Sequence, residues 1–400
     1  MVPQFKAEAA ALLPGLTTLR RELHEHPELG LDLPLTQKRV LEALEGLGLE
    51  ITLGKQLTSI VAVLRGAKPG PTVLLRGDMD ALPVVEQSGL PFASQNGNMH
   101  ACGHDLHTAG LVGAAQLLTA HRDELAGNVI FMFQPGEEGQ GGARLMIEEG
   151  MLETAGEKPI GAYAIHVAPG PRGVFMTKPG PIAAGSNELH VTVRGRGGHG
   201  SQPHQVLDPM PVAAEIVLAL QTFVTRRFDA FDPIILSVTQ ITGSEATNVI
   251  PESVSLAATV RTLSQASLQR VIDEAPRLAQ KIAEAHGLTA DAEVHVDYPV
   301  TINDDTASAE VLGWLGEEFG AQRIVQMPTP MMGSEDFAYV LNEVPGTFIA
   351  LLTSPDGVDP ATAEFNHSPR VLFDDGVLGD QAAALATVAW RKLASAASAQ

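Results

Sequence analysis

Asn98-Met99-His100-Ala101-Cys102-Gly103-His104-Asp105-Leu106-His107 holds the chain's only cysteine between two histidines. A lone cysteine makes no internal disulfide, and a thiolate one glycine away from an imidazole can offer two ligands to one divalent metal. Taken alone, Cys102 fits a small buried hydrophobe equally well, so its reading depends on the surrounding sequence. Downstream, residues 108–119 are rich in Ala and Leu and predict a helix. Residues 59–64 and 72–75 upstream, and 128–133 and 162–167 downstream, are short apolar runs that predict strands. Residues 144–149 predict a further helix between them. Strands alternating with helices imply an α/β layer: a mixed, largely parallel sheet flanked by helices.

Ligands of such sheets gather at the carboxyl ends of strands. Asp78 and Asp80 follow the 72–75 run, Glu137 and Glu138 follow the 128–133 run, and His166 lies near the end of its own run. In an extended segment the spacing of Asp78 and Asp80 points both carboxylates to one face. One can then bind a metal or orient a histidine while the other holds the loop; a solvated surface turn is the alternative. Glu137 and Glu138 stand in a glycine-bracketed turn, where adjacent side chains diverge, so one can take a metal and the other the attacking water. A divalent cation brings the pKa of water towards about 7, and a carboxylate accepts its proton and passes it to a leaving amine. Together with His367, these segments read as the two-metal centre of a hydrolase.

Other histidines are less informative. His24-Glu25-His26 lacks the His-Glu-x-x-His spacing that sets two imidazoles on one helical face, and Pro27 follows, so a structural role is expected. His107 stands one turn beyond His104, with a ligand role open. The segment Gly195-Arg196-Gly197-Gly198-His199-Gly200-Ser201-Gln202-Pro203-His204 has no Gly-Lys-Ser/Thr continuation and is no ordinary phosphate loop; it is either a mobile loop bringing His199 to a substrate oxyanion or a plain turn. Asn248 and Arg261 bracket a strand, and Arg261 can pair with a carboxylate through a bidentate fork or lie on the surface.

The pattern changes after Pro179-Gly180-Pro181. Strand signals at 189–193, 234–241, 253–260 and 292–296, with helices at 211–226 and 268–286, make an α+β unit, and Tyr298-Pro299-Val300 returns to the first style. The expected organisation is therefore a discontinuous host, residues 1–184 and 298–400, with residues 185–297 inserted. Four hundred residues suit two domains. A formal charge of −21 without a basic stripe argues against nucleic acid or an anionic membrane as partner. The single cysteine suits a reducing compartment, and no window approaches the roughly 18 uninterrupted apolar residues of a membrane span. Residues 1–15 fit an amphipathic helix better than a signal peptide, the Ala/Ser-rich tail after Leu393 should fray, and the expected location is cytoplasmic.

Nearly the whole chain resembles the hippurate hydrolase and N-acyl-amino-acid amidohydrolase branch of a dinuclear-metal family that also contains aminoacylases and glutamate-releasing carboxypeptidases. The resemblance is carried by Arg21 to Leu29, Arg76-Gly77-Asp78-Met79-Asp80-Ala81-Leu82-Pro83, Met99 to His107 and Gln134 to Gly142. It continues through His166-Val167-Ala168-Pro169, Gly197 to His204, Gly333-Ser334-Glu335-Asp336-Phe337 and Asn366-His367-Ser368-Pro369. It implies a metal-dependent exopeptidase-like host with an inserted dimerisation or lid domain, and two divalent ions per subunit, zinc or manganese before cobalt or nickel. Cys102, His104, Glu138, His166 and His367 would be the ligands, Glu137 the general base and acid, and Asp80 the support of the metal shell. In a homodimer, His199 and Asn248 would reach a partner subunit's site, and Arg261 would take the substrate carboxylate. The chain departs from the branch at Ile182-Ala183-Ala184, at Asn187 and across residues 168–173, which affects substrate choice more than chemistry. A carboxypeptidase or dipeptidase, or a metal-binding scaffold without catalysis, are the alternatives on the same fold.

Overall fold

Thr72 to Asp78, the second half of the strand Lys68–Asp78, is buried without interruption. Such a run needs cover on both faces, as in a parallel sheet sandwiched by helices. This strand lies inside an eight-stranded sheet. Ala126–Gln134 and Gly161–Ala168 flank it in parallel, and Gly346–Leu352 runs parallel to the latter. One edge is closed antiparallel by Ile60–Arg65 and then Glu50–Leu53. At the other edge Phe175–Thr177 is antiparallel to Gly346–Leu352, and Ile324–Gln326 is parallel to Phe175–Thr177. The outermost strands span only three or four residues, too short to carry a readable period, which is why the sequence pattern misses them.

The computed structural model describes residues 2–398. They form two compact units, Met1–Ile182 with Ile302–Thr329 and Asp336–Gln400, and Ala183–Thr301 with Pro330–Glu335. In the first, the helix His104–Ala120 packs against Phe5–Glu25 and Leu378–Ser398, and it is buried almost all round, as its Ala/Leu composition requires. The C-terminal helix continues past Leu393 to Ser398 rather than fraying, because alanine is the best helix former. The remaining two residues lie outside the described part.

The second unit is a four-stranded antiparallel sheet in the order Ile235–Thr242, Ser253–Thr262, Gly185–Arg194, Thr289–Tyr298. Alternate residues such as Leu189, Val191 and Val193 form a core with the helices Pro209–Arg227 and Gln265–Ala285, whose N-termini are capped by Asp208 and Ser264. Pro330–Glu335 groups with this unit because the Ala184 N–H donates to the carbonyls of Met331 (3.1 Å) and Gly333 (2.9 Å).

Candidate metal centre

Gly103 makes the Cys102–His104 juxtaposition possible. Its φ is +84°, and a Cβ there would lie 2.3 Å from Val167 Cγ2, so a side chain is excluded both by conformation and by space. The helix begins at His104. His104 Nδ1–H donates to the Asp80 carbonyl at 2.8 Å, which leaves Nε2 with its lone pair; that buried nitrogen has no hydrogen-bond partner. His166, near the end of Gly161–Ala168, donates Nδ1–H to the Val167 carbonyl at 2.8 Å and has Nε2 3.4 Å from Cys102 Sγ. Imidazoles held by a carbonyl on one nitrogen, with the other bare in His104 and facing the Cys102 sulfur in His166, are prepared for a metal.

Ligand atoms of Cys102, His104 and His166 lie within 4.8 Å of one another, as do those of Cys102, Glu138 and His367, and those of His104, Glu137 and Glu138. The five ligands read from the resemblance, together with Glu137, therefore form overlapping triads. The 3.4 Å between Cys102 Sγ and His166 Nε2 is close to the roughly 3.5 Å that a tetrahedral ion with Zn–S of about 2.3 Å and Zn–N of about 2.0 Å imposes. The donor set fits two divalent ions.

The turn carrying the two glutamates is held tightly. Both Asp80 carboxylate oxygens are used, one accepting from the Glu137 amide and the other from the Glu138 amide, each at 3.0 Å. The turn closes where Gly142 passes the Pro135 carbonyl so closely that a Cβ would lie 1.7 Å from its oxygen. His367 is the one non-glycine among the described residues in the left-handed backbone region, with φ 72°. Such strain clusters at functional sites; here the His367 N–H donates to the Ala101 carbonyl at 2.9 Å, and Nε2 lies 3.2 Å from Glu138 Oε1.

Burial alone would raise the Cys102 thiol, but His166, His104 and His367 beside it bring it well below the usual range. Burial disfavours charge on His104, yet Asp78, Asp80 and Cys102 hold it well above its ordinary value. His166 is raised in the same way by the thiolate against the burial penalty. Bonds to Cys102 and Glu138 push His367 up to about 10, while burial and the neighbouring thiolate raise Glu138. A pocket that draws protons onto several imidazoles has an excess of negative charge, which is the condition a divalent cation relieves.

The strand ends at Asp78, yet both aspartates approach His104, Asp78 Oδ2 at 3.6 Å from Nε2 and Asp80 Oδ1 at 3.5 Å from Nδ1, and each has further partners of its own. Asp78 Oδ1 accepts from His107 Nδ1 at 2.5 Å, and the other His107 nitrogen accepts from the Val167 N–H at 2.8 Å. Both nitrogens of His107 are thus engaged by the protein, and burial lowers it to about 4. His24 is structural: buried, it donates to Asp105 at 2.8 Å and Glu86 at 3.0 Å, with Arg20 Nε on the same Asp105 oxygen at 2.7 Å. Sequence reasoning assigned no role to Asn366, whose Nδ2 donates to the carbonyls of Val167 (3.1 Å) and Cys102 (3.3 Å) and so ties the segments carrying Cys102, His166 and His367 together. Its place beside His367 in a quoted motif was the available signal.

His199, Asn248 and Arg261 lie in the second unit. The two-residue strand Gly198–His199 pairs with Val249–Ile250, and the Gly200 N–H donates to the Asn248 carbonyl at 2.8 Å, so His199 and Asn248 are neighbours there. Arg261 Nη1 lies 3.5 Å from Ser334 Oγ.

The sequence pattern of peptidase family M20/M25/M40 matches residues 74–391. Thermostable carboxypeptidase 1 of Saccharolobus solfataricus is 36% identical over 384 residues, covering 94% of this chain and 95% of the relative. N-acetylcysteine deacetylase of Bacillus subtilis is also 36% identical, covering 91% and 93%. Among solved structures, the Bacillus subtilis YXEP protein, a dinuclear metal binding peptidase of the M20 family, superimposes with a TM-score of 0.83 at 33% identity, covering 96% of this chain and 99% of that one.

Proposed function

The chain belongs to peptidase family M20/M25/M40 and is a metal-dependent amidohydrolase, and from that premise we propose that it cleaves N-acyl amino acids to a carboxylic acid and an amino acid. Cys102, His104, Glu138, His166 and His367 hold two divalent ions, zinc or manganese before cobalt or nickel, and Glu137 is the general base and acid. The observation carrying this reading is the division of labour in one turn: Asp80 fixes the amides of Glu137 and Glu138 together, and both carboxylates converge with His104.

When bound, the ions supply Lewis acidity, making water a nucleophile near neutral pH and drawing charge from the acyl oxygen. Glu137 takes the proton of the attacking water as the new C–O bond forms. It then gives that proton to the amide nitrogen as the C–N bond breaks. Buried Asp80 keeps Glu137 in register through both transfers.

His199 stabilises the oxyanion from a partner subunit, with Asn248 beside it, and Arg261 binds the substrate carboxylate as a bidentate fork. The working form is a cytoplasmic homodimer. What supports His199 and Asn248 is their adjacency, Asn248 preceding the strand that pairs with His199 and accepting from the Gly200 N–H, and what supports Arg261 is its fixed base on the strand Ser253–Thr262. A second reading, metallocarboxypeptidase, is favoured by the equal identity to Thermostable carboxypeptidase 1.

Hippurate, N-acetyl amino acids and dipeptides tested against protein reconstituted with zinc or manganese separate the two. Faster turnover of N-acyl amino acids supports the first reading, and faster turnover of peptides the second. Cys102→Ser should lower the metal content measured by elemental analysis; two tightly held ions in that variant would remove Cys102 from the ligand set.

A further inference from the structure

Asp336 lies fully buried at the start of the first unit's last segment, in the motif Gly333-Ser334-Glu335-Asp336-Phe337, to which the proposed chemistry gives no role. Its Oδ1 accepts from Arg76 Nη2 at 3.1 Å. Gln134 Nε2 donates to both of its carboxylate oxygens at 2.8 Å, and the Ala143 amide donates to Oδ2 at 2.9 Å. Gln134 is the last residue of the strand entering the glutamate turn, and Ala143 lies in the first turn of the helix leaving it. Asp336 therefore grips both stems of the turn, while Asp80 grips its crown.

The grip extends across the centre. Arg76, itself buried, donates from Nε to Gln134 Oε1 at 2.8 Å and pairs through Nη1 with Asp78 Oδ2 at 2.6 Å. Asp78 in turn accepts from His107, which accepts from the Val167 amide next to His166. One buried chain of charge-assisted bonds thus runs from the stems of the Glu137–Glu138 turn to the backbone beside His166.

We propose that Asp336 is a positioning residue: by gripping both stems of the glutamate turn and linking them through Arg76 and Asp78 to the His166 side, it sets the spacing of the metal centre. This rests on the two-metal amidohydrolase reading. Arg76, Gln134 and Ala143 all donate, so the position demands an acceptor-only group, and a carboxylate is the side chain that meets that demand. An amide at 336 sets an N–H against a donor. The turn then relaxes, and with it the approach of Glu138 to His367 and of Glu137 to His104.

The test compares Asp336→Asn, Gln134→Met and, as a stability-matched control, Val311→Ala, whose side chain is buried in the core of the helix Asp305–Phe319. Competition for Zn²⁺ with a chromogenic chelator, Tm, and kcat and KM for an N-acetyl amino acid are measured for each. Asp336→Asn is expected to weaken Zn²⁺ binding by about 10–100-fold, the usual cost of losing a group that orients ligands, with kcat falling and KM little changed. Gln134→Met should move in the same direction by less. Val311→Ala should lower Tm and leave Zn²⁺ affinity and kcat intact. If Asp336→Asn only lowers Tm as Val311→Ala does, the positioning role is overturned; if it does not fold, unchanged Zn²⁺ affinity in Gln134→Met overturns it instead. Wild-type protein that binds Zn²⁺ but hydrolyses no amide would sink the amidohydrolase reading, while the Zn²⁺ competition would still decide the role of Asp336.

Discussion

Two histidine–carboxylate clusters in this protein have nearly the same bond lengths and opposite surroundings. Beside the candidate metal centre, His24 meets Asp105 at 2.8 Å and Glu86 at 3.0 Å, its side chain only 2% exposed. On the sheet of the second unit, His190 meets Glu188 at 2.8 Å and His295 meets Glu293 at 2.9 Å, the imidazoles 44% and 53% exposed. There the strand register sets His190 opposite Glu293 and His295 opposite Glu188, and the two rings stand 5.1 Å apart. Distance alone would rank these clusters together; burial separates them. In the first, every charge must be met by a partner or cost several kcal/mol, so the cluster locks the helix Phe5–Glu25 to the start of His104–Ala120. In the second, water screens each pair and little is fixed.

Four variants strain that contrast, in falling order of expected effect. Glu137→Gln, at the buried extreme, should keep its metal and lose about 10²–10⁴-fold in turnover; loss of metal by elemental analysis would mean that Glu137 and Glu138 exchange roles. Asp105→Asn leaves Arg20 and His24 buried with a neutral partner and should cost about 3–5 kcal/mol in urea unfolding. A cost under 1 kcal/mol would erase the distinction between the clusters.

The third variant tests pH. Burial works against charge on His24, but Asp105 and Glu86 prevail and raise it above its ordinary value. Its contribution is therefore fully present below the unfolded value near 6.5 and is lost as pH rises through the folded value. The stability gap between wild type and His24→Gln should shrink from pH 6 to pH 9, and a widening gap in urea midpoints would contradict the assignment. Least of all, Glu293→Gln in the exposed cluster should change stability by less than about 1 kcal/mol, measured in the same way.

Much of the contrast is invisible in sequence. Cys102-Gly103-His104 is legible because the candidate ligands and the glycine between them are local, and Glu137-Glu138 because they follow an apolar run. The sheet's inner strands show for the same reason, each being a continuous buried stretch. Asn366, Asp336 and the Arg20–Asp105 pair do their work across separations of 264, 193 and 85 residues, and no spacing rule reaches so far. Equally, a local pattern cannot say that both nitrogens of His107 are engaged by Asp78 and Val167, since these partners come from different strands. Both rings are buried; what distinguishes His104 from His107 is the nitrogen left without a hydrogen-bond partner, rather than residue type.

The discontinuity of the first unit also has a consequence for synthesis. Gly161–Ala168 has Lys68–Asp78 on one side from the start but finds its other parallel neighbour only in Gly346–Leu352, so at about 5–20 residues per second the chain spends roughly 10–40 s with that strand edge unpaired. The second unit, most of it one continuous segment, is translated within this interval and has its own core. It can fold early while its host waits. An open apolar edge is a template for pairing with other chains, so slow translation between the two strands should favour aggregation, and the nascent chain gains from any binder that covers Gly161–Ala168 until its partner arrives.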